Sequence, residues 1–262
     1  MKPLPLTQLV RKPIKALFSD LDDTITKNSQ IMPSTLQAIH DLNHHGYPVV
    51  IVSGRPAGWA DTLMRLLPLS AMIFENGAGI MWREGKRITT HCLAAQNDLK
   101  SQKNHLTQLF NQIQQQIPDA KLATDQPYRL FDFAIDFNEE PPLLSPDQVH
   151  WMMNFLKKDS AVTAKLSSIH INFWVGHHTK LTACEFWLNR FGSNLGIHKE
   201  NIVFSGDSPN DEPLFEYFPN SVGVANVKYF LPQLKHPPRF MTVQESGTGF
   251  EELVSHILGR VP

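Results

Sequence analysis

Ala16-Leu17-Phe18-Ser19-Asp20-Leu21-Asp22-Asp23-Thr24 is the stretch that decides the fold, because its apolar run ends abruptly in acidic residues. This pattern is typical of a buried strand that delivers side chains into a loop. Further along, Pro33 to Gly46 has apolar residues at helical spacing, and Val49 to Val52 is a β-branched run of the kind buried on both faces of a sheet. Strand, helix and strand in this order predict a parallel unit.

The middle of the chain has a different pattern. Phe131 to Phe137 and Ser168 to Val175 alternate large apolar residues with small or polar ones, which is the period of a sheet covered on one face only. Pro146 to Leu156 predicts a helix on the apolar side of that sheet. We therefore predict an α/β fold: a Rossmann-like doubly wound parallel sheet core made of residues 1–82 and 179–262, with residues 83–178 inserted as an α+β cap domain.

The composition excludes several classes of partner. The 262 residues include 24 Lys plus Arg and 25 Asp plus Glu, a net charge of -1, so the basic excess of a nucleic-acid-binding protein is absent. No apolar run approaches the roughly 20 residues that cross a bilayer, which argues against a membrane partner. Cys92 and Cys184 are too few for a disulfide framework. These features predict a cytoplasmic protein whose partner is a small molecule.

Acidic residues follow two of the predicted parallel strands, whose carboxyl ends converge on one crevice in an open sheet. Asp20 and Asp22 follow the first strand, and Asp207 and Asp211 follow the strand at Ile202 to Phe204. Four carboxylates in one crevice repel each other unless a divalent cation neutralises them. Oxygen ligands favour magnesium, so the sequence predicts a Mg²⁺ site that also binds a substrate phosphate.

The same residues suit phosphoryl transfer. We predict that the Asp20 carboxylate is the nucleophile, forming an aspartyl-phosphate, and that Asp22 is the general acid and base. The Ser53 hydroxyl and the Lys180 ammonium are expected to bind the phosphate oxygens. Supporting substrate contacts are expected from Thr24, which would also hold Asp22, from the Gly54 amide, and from Arg55, for which a structural ion pair is an equal alternative. On the predicted cap face, the candidates for substrate contact are His170, Asn172 and Trp174. Arg129 and Lys165 could either bind a second anionic group of the substrate or serve only as solubilising surface charges.

These motifs together resemble those of the haloacid dehalogenase-like superfamily. Asp20-Leu21-Asp22-Asp23-Thr24 is similar to the first motif, Val49 to Arg55 to the second, Lys180 to the third, and Gly206-Asp207-Ser208-Pro209-Asn210-Asp211 to the fourth. The resemblance implies Asp20 as nucleophile and Asp22 as acid and base, with the Asp22 carbonyl and Asp207 as metal ligands. It implies that Asp211 supports the metal from behind those ligands.

The position of the long insert, between the second and third motifs, implies an αβ cap. The preceding turn Phe74-Glu75-Asn76-Gly77-Ala78 is similar to that of relatives with such caps, which places Asn76 among the substrate-binding candidates. The resemblance is to sugar-phosphate phosphatases, so the expected substrate is a small sugar or polyol phosphate. Two alternatives stay open: a sugar phosphomutase, and a phospho-accepting regulatory domain of a different class.

Overall fold

The computed structural model describes residues 2–260, which form two β-sheets and the helices around them. The strands are β1 (Leu4–Pro5), β2 (Ala16–Ser19), β3 (Val49–Val52), β4 (Ala71–Phe74), β5 (Gly79–Glu84), β6 (Arg87–Cys92), β7 (Lys121–Leu122), β8 (Phe133–Asp136), β9 (Val162–Leu166), β10 (His170–Val175), β11 (Ile202–Gly206), β12 (Asn220–Gly223) and β13 (Phe240–Met241). The α-helices are α1 (Pro33–His44), α2 (Ala57–Leu66), α3 (Leu99–Gln116), α4 (Pro146–Leu156), α5 (Lys180–Trp187), α6 (Ser193–Leu195), α7 (Glu212–Tyr217) and α8 (Ser246–Ile257). No helix within this range has the length and apolar character of a membrane span.

The large sheet has nine strands in the order β1-β13-β12-β11-β2-β3-β4-β5-β6. Its strands are parallel from β1 to β4, whereas β5 and β6 pair antiparallel. Successive side chains enter opposite cores: Leu17 and Ile51 pack in one apolar cluster, and Phe18 and Val50 pack in the other. The doubly wound α/β fold predicted from the β-branched runs is confirmed.

The small sheet has four antiparallel strands in the order β7-β8-β10-β9. Ile171 and Phe173 point from β10 into an apolar core shared with α3 and α4. His170, Asn172 and Trp174 occupy the other face and are 3%, 2% and 1% exposed, so this face is covered rather than open to solvent. The alternation in the sequence therefore identified the two faces of the sheet correctly.

The strand pairing differs from the predicted boundary at residue 82. β6 pairs with β5 along its whole length and so belongs to the large sheet, which moves the first residue of any inserted domain beyond Cys92. The two strands join through a tight turn at Gly85, whose φ of 61° is readily adopted by glycine. A short hairpin of this kind lacks the continuous apolar run that marks the parallel strands, because residues of β6 are partly exposed.

Candidate active site

Three buried carboxylates meet at the carboxyl edge of the large sheet. Asp20 follows β2 and Asp207 follows β11, and these strands are parallel neighbours in which Ser19 lies opposite Ser205. Asp211, in the turn after Asp207, completes the group. The side-chain oxygens of the three aspartates lie within 4.8 Å of one another, and the residues are 4%, 1% and 0% exposed in chain order. Convergence predicted from strand order is therefore observed for these three residues.

Lys180 is the cation inside this group. It begins α5, and its Nζ lies 3.0 Å from Asp20 Oδ1 and donates a 2.8 Å hydrogen bond to Asp211 Oδ1. The second oxygen of Asp211 accepts the N–H groups of Asp207 and Ser208 at 3.1 and 3.3 Å. Both Asp211 oxygens thus fix the lysine and the loop, in keeping with the supporting role that the resemblance implies, and a direct metal contact by Asp211 stays a prediction.

One ammonium does not balance three buried carboxylates. Burial, followed by the charge of Asp211, raises the pKa of Asp20 to about 8. Burial and the charges of Asp20 and Asp211 also raise the pKa of Asp207 well above its ordinary value. Burial favours a lower pKa for Lys180, but the two nearby carboxylates outweigh it and the pKa rises. The site therefore stabilises further positive charge.

The donor set fits Mg²⁺. The Asp207 oxygens accept hydrogen bonds from Thr24 Oγ1 at 3.1 Å and Asn226 Nδ2 at 3.2 Å, and each oxygen retains a further lone pair. Lys180 contacts Oδ1 of Asp20, and the Asp22 carbonyl accepts no hydrogen bond within residues 2–260. Oxygens of Asp20, Asp207 and the Asp22 carbonyl are thus available to a hard cation that prefers oxygen ligands.

Thr24 has a different partner from the one predicted. Its hydroxyl donates to Asp207 and not to Asp22, because the turn after β2 directs the fully buried side chain toward β11. Asn226, which the sequence did not indicate, donates to the Asp23 carbonyl at 3.0 Å and to Asp207. Together Thr24 and Asn226 orient the Asp207 carboxylate.

Asp22 is held by Arg55. The guanidinium donates from Nε to both Asp22 oxygens at 3.0 Å and from Nη2 to Oδ1 at 2.9 Å. Its Nη1 and Nη2 also donate to Asp125 and Glu139, two acids that the sequence did not indicate. Arg55 is 2% exposed and its donors are engaged, so the structure has the ion pair, one of the two alternatives considered, and this pair joins the loop after β3 to the segment around β8.

The loop after β3 places a hydroxyl and a free amide near the acidic group. Ser53 Oγ accepts the Arg55 N–H at 2.9 Å, and the Gly54 N–H has no hydrogen-bond partner within residues 2–260. A Cβ at Gly54 would lie 3.1 Å from Asn76 Nδ2 and 3.3 Å from Asn172 Oδ1. A side chain at Gly54 would therefore press on Asn76 and Asn172, and glycine allows their close approach.

The predicted contacts on the small sheet lie over this loop. Asn172 donates to Asp132 Oδ2 at 3.2 Å, and His170 Nε2 lies 2.9 Å from Glu139 Oε2. Trp174 stacks on His178 with ring centroids 5.2 Å apart, and its Nε1 has no hydrogen-bond partner. All three predicted residues are brought to the candidate site.

Two buried charged residues, Glu75, which the sequence did not indicate, and Arg129, connect the two sheets. Glu75 is fully buried, and its carboxylate accepts backbone N–H groups from Ala57 and from the stretch 130–132. Arg129, which is 2% exposed, donates to the Gly54 carbonyl at 2.9 Å and pairs with Asp125 and Asp132. Glu75 directly precedes Asn76 in the turn singled out above, which is the one signal that marked its neighbourhood.

Comparisons with known proteins agree with this geometry. The chain is 25% identical over 249 residues to a phosphoglycolate phosphatase of Methanothrix thermoacetophila, covering 93% of this chain and 97% of the relative. Its fold is similar to the trehalose-6-phosphate phosphatase C-terminal domain of C. albicans, with a TM-score of 0.75, 15% identity and 100% of each chain covered. It is also similar to the sucrose-phosphatase of Synechocystis sp., with a TM-score of 0.64, 17% identity and coverage of 93% and 98%.

A family model described as haloacid dehalogenase-like hydrolase matches residues 17–150 and 148–234. These two stretches contain β2, β3 and β11, and with them every side chain of the acidic group and Lys180. The match spans well over half of the chain and includes the motifs from which the resemblance was inferred. The protein therefore belongs to the haloacid dehalogenase-like hydrolases.

Proposed function

We propose that this hydrolase is a Mg²⁺-dependent phosphatase that acts on a small phosphomonoester through an aspartyl-phosphate on Asp20. The observation that carries the proposal is the meeting of Asp20, Asp207 and Lys180 at the end of β2, with a free backbone amide at Gly54 in the loop after the neighbouring strand β3. Anionic ligands for a cation, a carboxylate nucleophile and donors for phosphate oxygens are the parts that phosphoryl transfer needs. The curated relatives named as phosphoglycolate phosphatases support the same reaction class.

In the first step, an Asp20 carboxylate oxygen forms a bond to phosphorus while the bond to the leaving oxygen breaks. Asp22 gives its proton to that leaving oxygen, so the alcohol departs neutral. The Ser53 hydroxyl, the Gly54 N–H and the Lys180 ammonium hold the phosphate oxygens. In the second step, Asp22 takes a proton from water, which attacks phosphorus and releases inorganic phosphate and free Asp20. Mg²⁺ bound by Asp20, Asp207 and the Asp22 carbonyl supplies neutralising charge for the phosphate.

The small sheet with α3 and α4 supports the role of a cap. Its face carrying His170, Asn172 and Trp174 covers the loop after β3, so a bound ester is shielded from solvent water. The substrate is a small phosphorylated metabolite, for which the motifs suggest a sugar or polyol phosphate and the relatives' names suggest phosphoglycolate. Transfer to water, rather than back to a sugar, predicts turnover without any added sugar bisphosphate.

The test is the Asp20→Asn variant assayed with a generic phosphomonoester and Mg²⁺. We expect turnover to fall at least about 10³-fold, because an amide is a poor nucleophile and forms no aspartyl-phosphate. Asp61→Asn, which removes an exposed carboxylate on α2, is the matched control and retains full activity. Substantial turnover by the Asp20→Asn variant, or strict dependence on a sugar bisphosphate, would overturn the proposal.

A further inference from the structure

The face of the small sheet that covers the candidate active site carries a partly buried lysine without a partner. The register of β9 and β10 places Lys165 opposite Asn172, so it shares a face with Asn172 and Trp174. The Lys165 ammonium forms no ion pair or hydrogen bond with residues 2–260, and the residue is only partly exposed. It therefore differs from an ordinary solubilising lysine, which projects into water.

The other charged groups nearby are already compensated. Arg129 pairs with Asp125 and Asp132, so neither of the roles considered for it from the sequence applies. Glu139 on this side of the sheet is paired with Arg55. Lys165 is thus a partly buried, uncompensated cation of the covering face, unlike the exposed Lys121 of β7, and an anionic ligand gains from it without displacing an existing pair.

Lys165 lines a small cavity that also reaches the proposed phosphate-binding lysine. The cavity holds about 20 Å³ and is bordered by Lys165, Trp174, Asn76, Asn210 and Lys180 among others. Trp174 Nε1 and both side-chain polar atoms of Asn76 are buried without a hydrogen-bond partner, in residues that are 1% and 2% exposed. Buried polar atoms are nearly always satisfied, so unpaired ones beside a cavity indicate a ligand or water.

We propose that this cavity is the leaving-group subsite and that it takes a small carboxylate, with Lys165 as the residue that selects it. The proposal rests on the phosphatase function and narrows its substrate class to a short phosphorylated hydroxy acid. Lys180 marks the phosphate end of the site, and Lys165 with the Trp174 N–H and the Asn76 amide marks the carboxylate end. The donors there outnumber the acceptors, which favours an anionic group.

Charge disfavours a neutral sugar or polyol at this position. The small cavity of about 20 Å³ is continuous at Lys165 and Asn210 with the lining of a neighbouring cavity of about 690 Å³, so the Lys165 ammonium is within reach of a ligand larger than water. A neutral polyol of suitable length leaves the Lys165 ammonium partly buried without a counter-charge, which weakens its binding relative to a carboxylate. Selection by charge therefore predicts a measurable preference between two esters of equal length.

The experiment compares 2-phosphoglycolate with 2-hydroxyethyl phosphate, which replaces the carboxylate by a neutral hydroxymethyl group. The wild-type kcat/KM is expected to favour 2-phosphoglycolate. Lys165→Met should lower kcat/KM for 2-phosphoglycolate about 10- to 100-fold, the loss of one charge-assisted hydrogen bond, while changing 2-hydroxyethyl phosphate less than about threefold. Lys158→Met, which removes an exposed lysine just after α4, is the matched control and changes neither.

A binding measurement separates this proposal from the proposed function. The Asp20→Asn variant and the Asp20→Asn, Lys165→Met double variant are each titrated with 2-phosphoglycolate by calorimetry. We expect the Kd of the double variant to be about 10- to 100-fold higher. Equal losses for the two esters, equal binding by the two variants, or a wild-type preference for 2-hydroxyethyl phosphate or glucose 6-phosphate would overturn the subsite. Inactivity of the wild type toward every phosphomonoester would instead contradict the proposed function, and the calorimetric comparison would still decide the subsite.

Discussion

Individual side chains in the candidate site are governed by charge balance. Asp20, Asp207 and Asp211 are buried together, and Lys180 alone contributes a compensating charge among them. Burial, followed by repulsion from Asp211, raises the pKa of Asp20 to about 8. A bound cation offsets that repulsion. The residues thus explain why the reaction should depend on a divalent metal.

A second single side chain, His178, should make the free energy of unfolding depend on pH. Burial lowers its pKa from 6.5 to about 4, so the unfolded chain takes up a proton before the folded chain does. Its contribution to stability is complete above pH 6.5 and is lost as the pH falls toward 4, by up to about 3 kcal/mol. His178→Phe keeps an aromatic ring against Trp174 but does not titrate. Urea unfolding of both proteins at pH 7 and pH 4 should show a smaller loss in the variant.

Parallel loss of stability in wild type and His178→Phe over this pH range would contradict the environment assigned to His178. The exposed neighbour His177 supplies a control, because His177→Phe leaves the buried ring unchanged. That variant should follow the wild-type curve.

Among the elements, the end of β4 has the largest structural role in joining the two sheets. The Glu75 carboxylate accepts four backbone N–H groups, one at the start of α2 and three in the stretch 130–132 that leads into β8. Glu75 itself has a positive φ of 46°, an uncommon conformation outside glycine. The contacts compensate this local strain and fix the path of the chain between the sheets.

Glu75→Ala should destabilise the protein by about 3 kcal/mol or more, because several buried N–H groups lose their acceptor. Glu75→Gln keeps one acceptor oxygen, so we expect its free energy of unfolding to lie between those of Glu75→Ala and the wild type. Glu200→Ala, which removes an exposed carboxylate with no side-chain hydrogen bond or ion pair to residues 2–260, is the control with little effect. The free energy of unfolding of the three variants and of the wild type is measured by unfolding in urea. A loss below about 1 kcal/mol for Glu75→Ala would show that these hydrogen bonds do not support the fold.

Elements whose signals are local could be predicted from the sequence. The helix at Pro146 to Leu156 matches α4, since Ser145 and Gln148 form a capping box at its start. The predicted boundary at residue 82 assigned β6 to the insert, whereas it pairs in the large sheet, because this partly exposed strand lacks a parallel-strand pattern. Glu75, Glu139 and Asn226 could not be identified, because their partners are far away in sequence.

At the scale of the whole molecule, the two sheets enclose the site together. Asp20 and Asp207 follow strands of the large sheet, and Lys180 begins α5 beside them. Arg55 pairs with Glu139, and Arg129 donates a hydrogen bond to the Gly54 carbonyl, so contacts join the two sheets in both directions. The sequence indicated the large-sheet residues because each follows or precedes a strongly patterned element. It did not indicate the connecting ion pairs, which depend on how the sheets pack.

The central claim is that Asp20 carries the phosphoryl group during turnover, and trapping that group tests it most directly. Wild-type protein with Mg²⁺ and a ³²P-labelled phosphomonoester is quenched with acid within milliseconds, and the labelled peptide is sequenced. We expect protein-bound label on the peptide that contains Asp20. Hydroxylamine should release this label, as it does from an acyl phosphate, and the Asp20→Asn variant should carry none. Label on another residue, or turnover without labelled protein at any quench time, would contradict it.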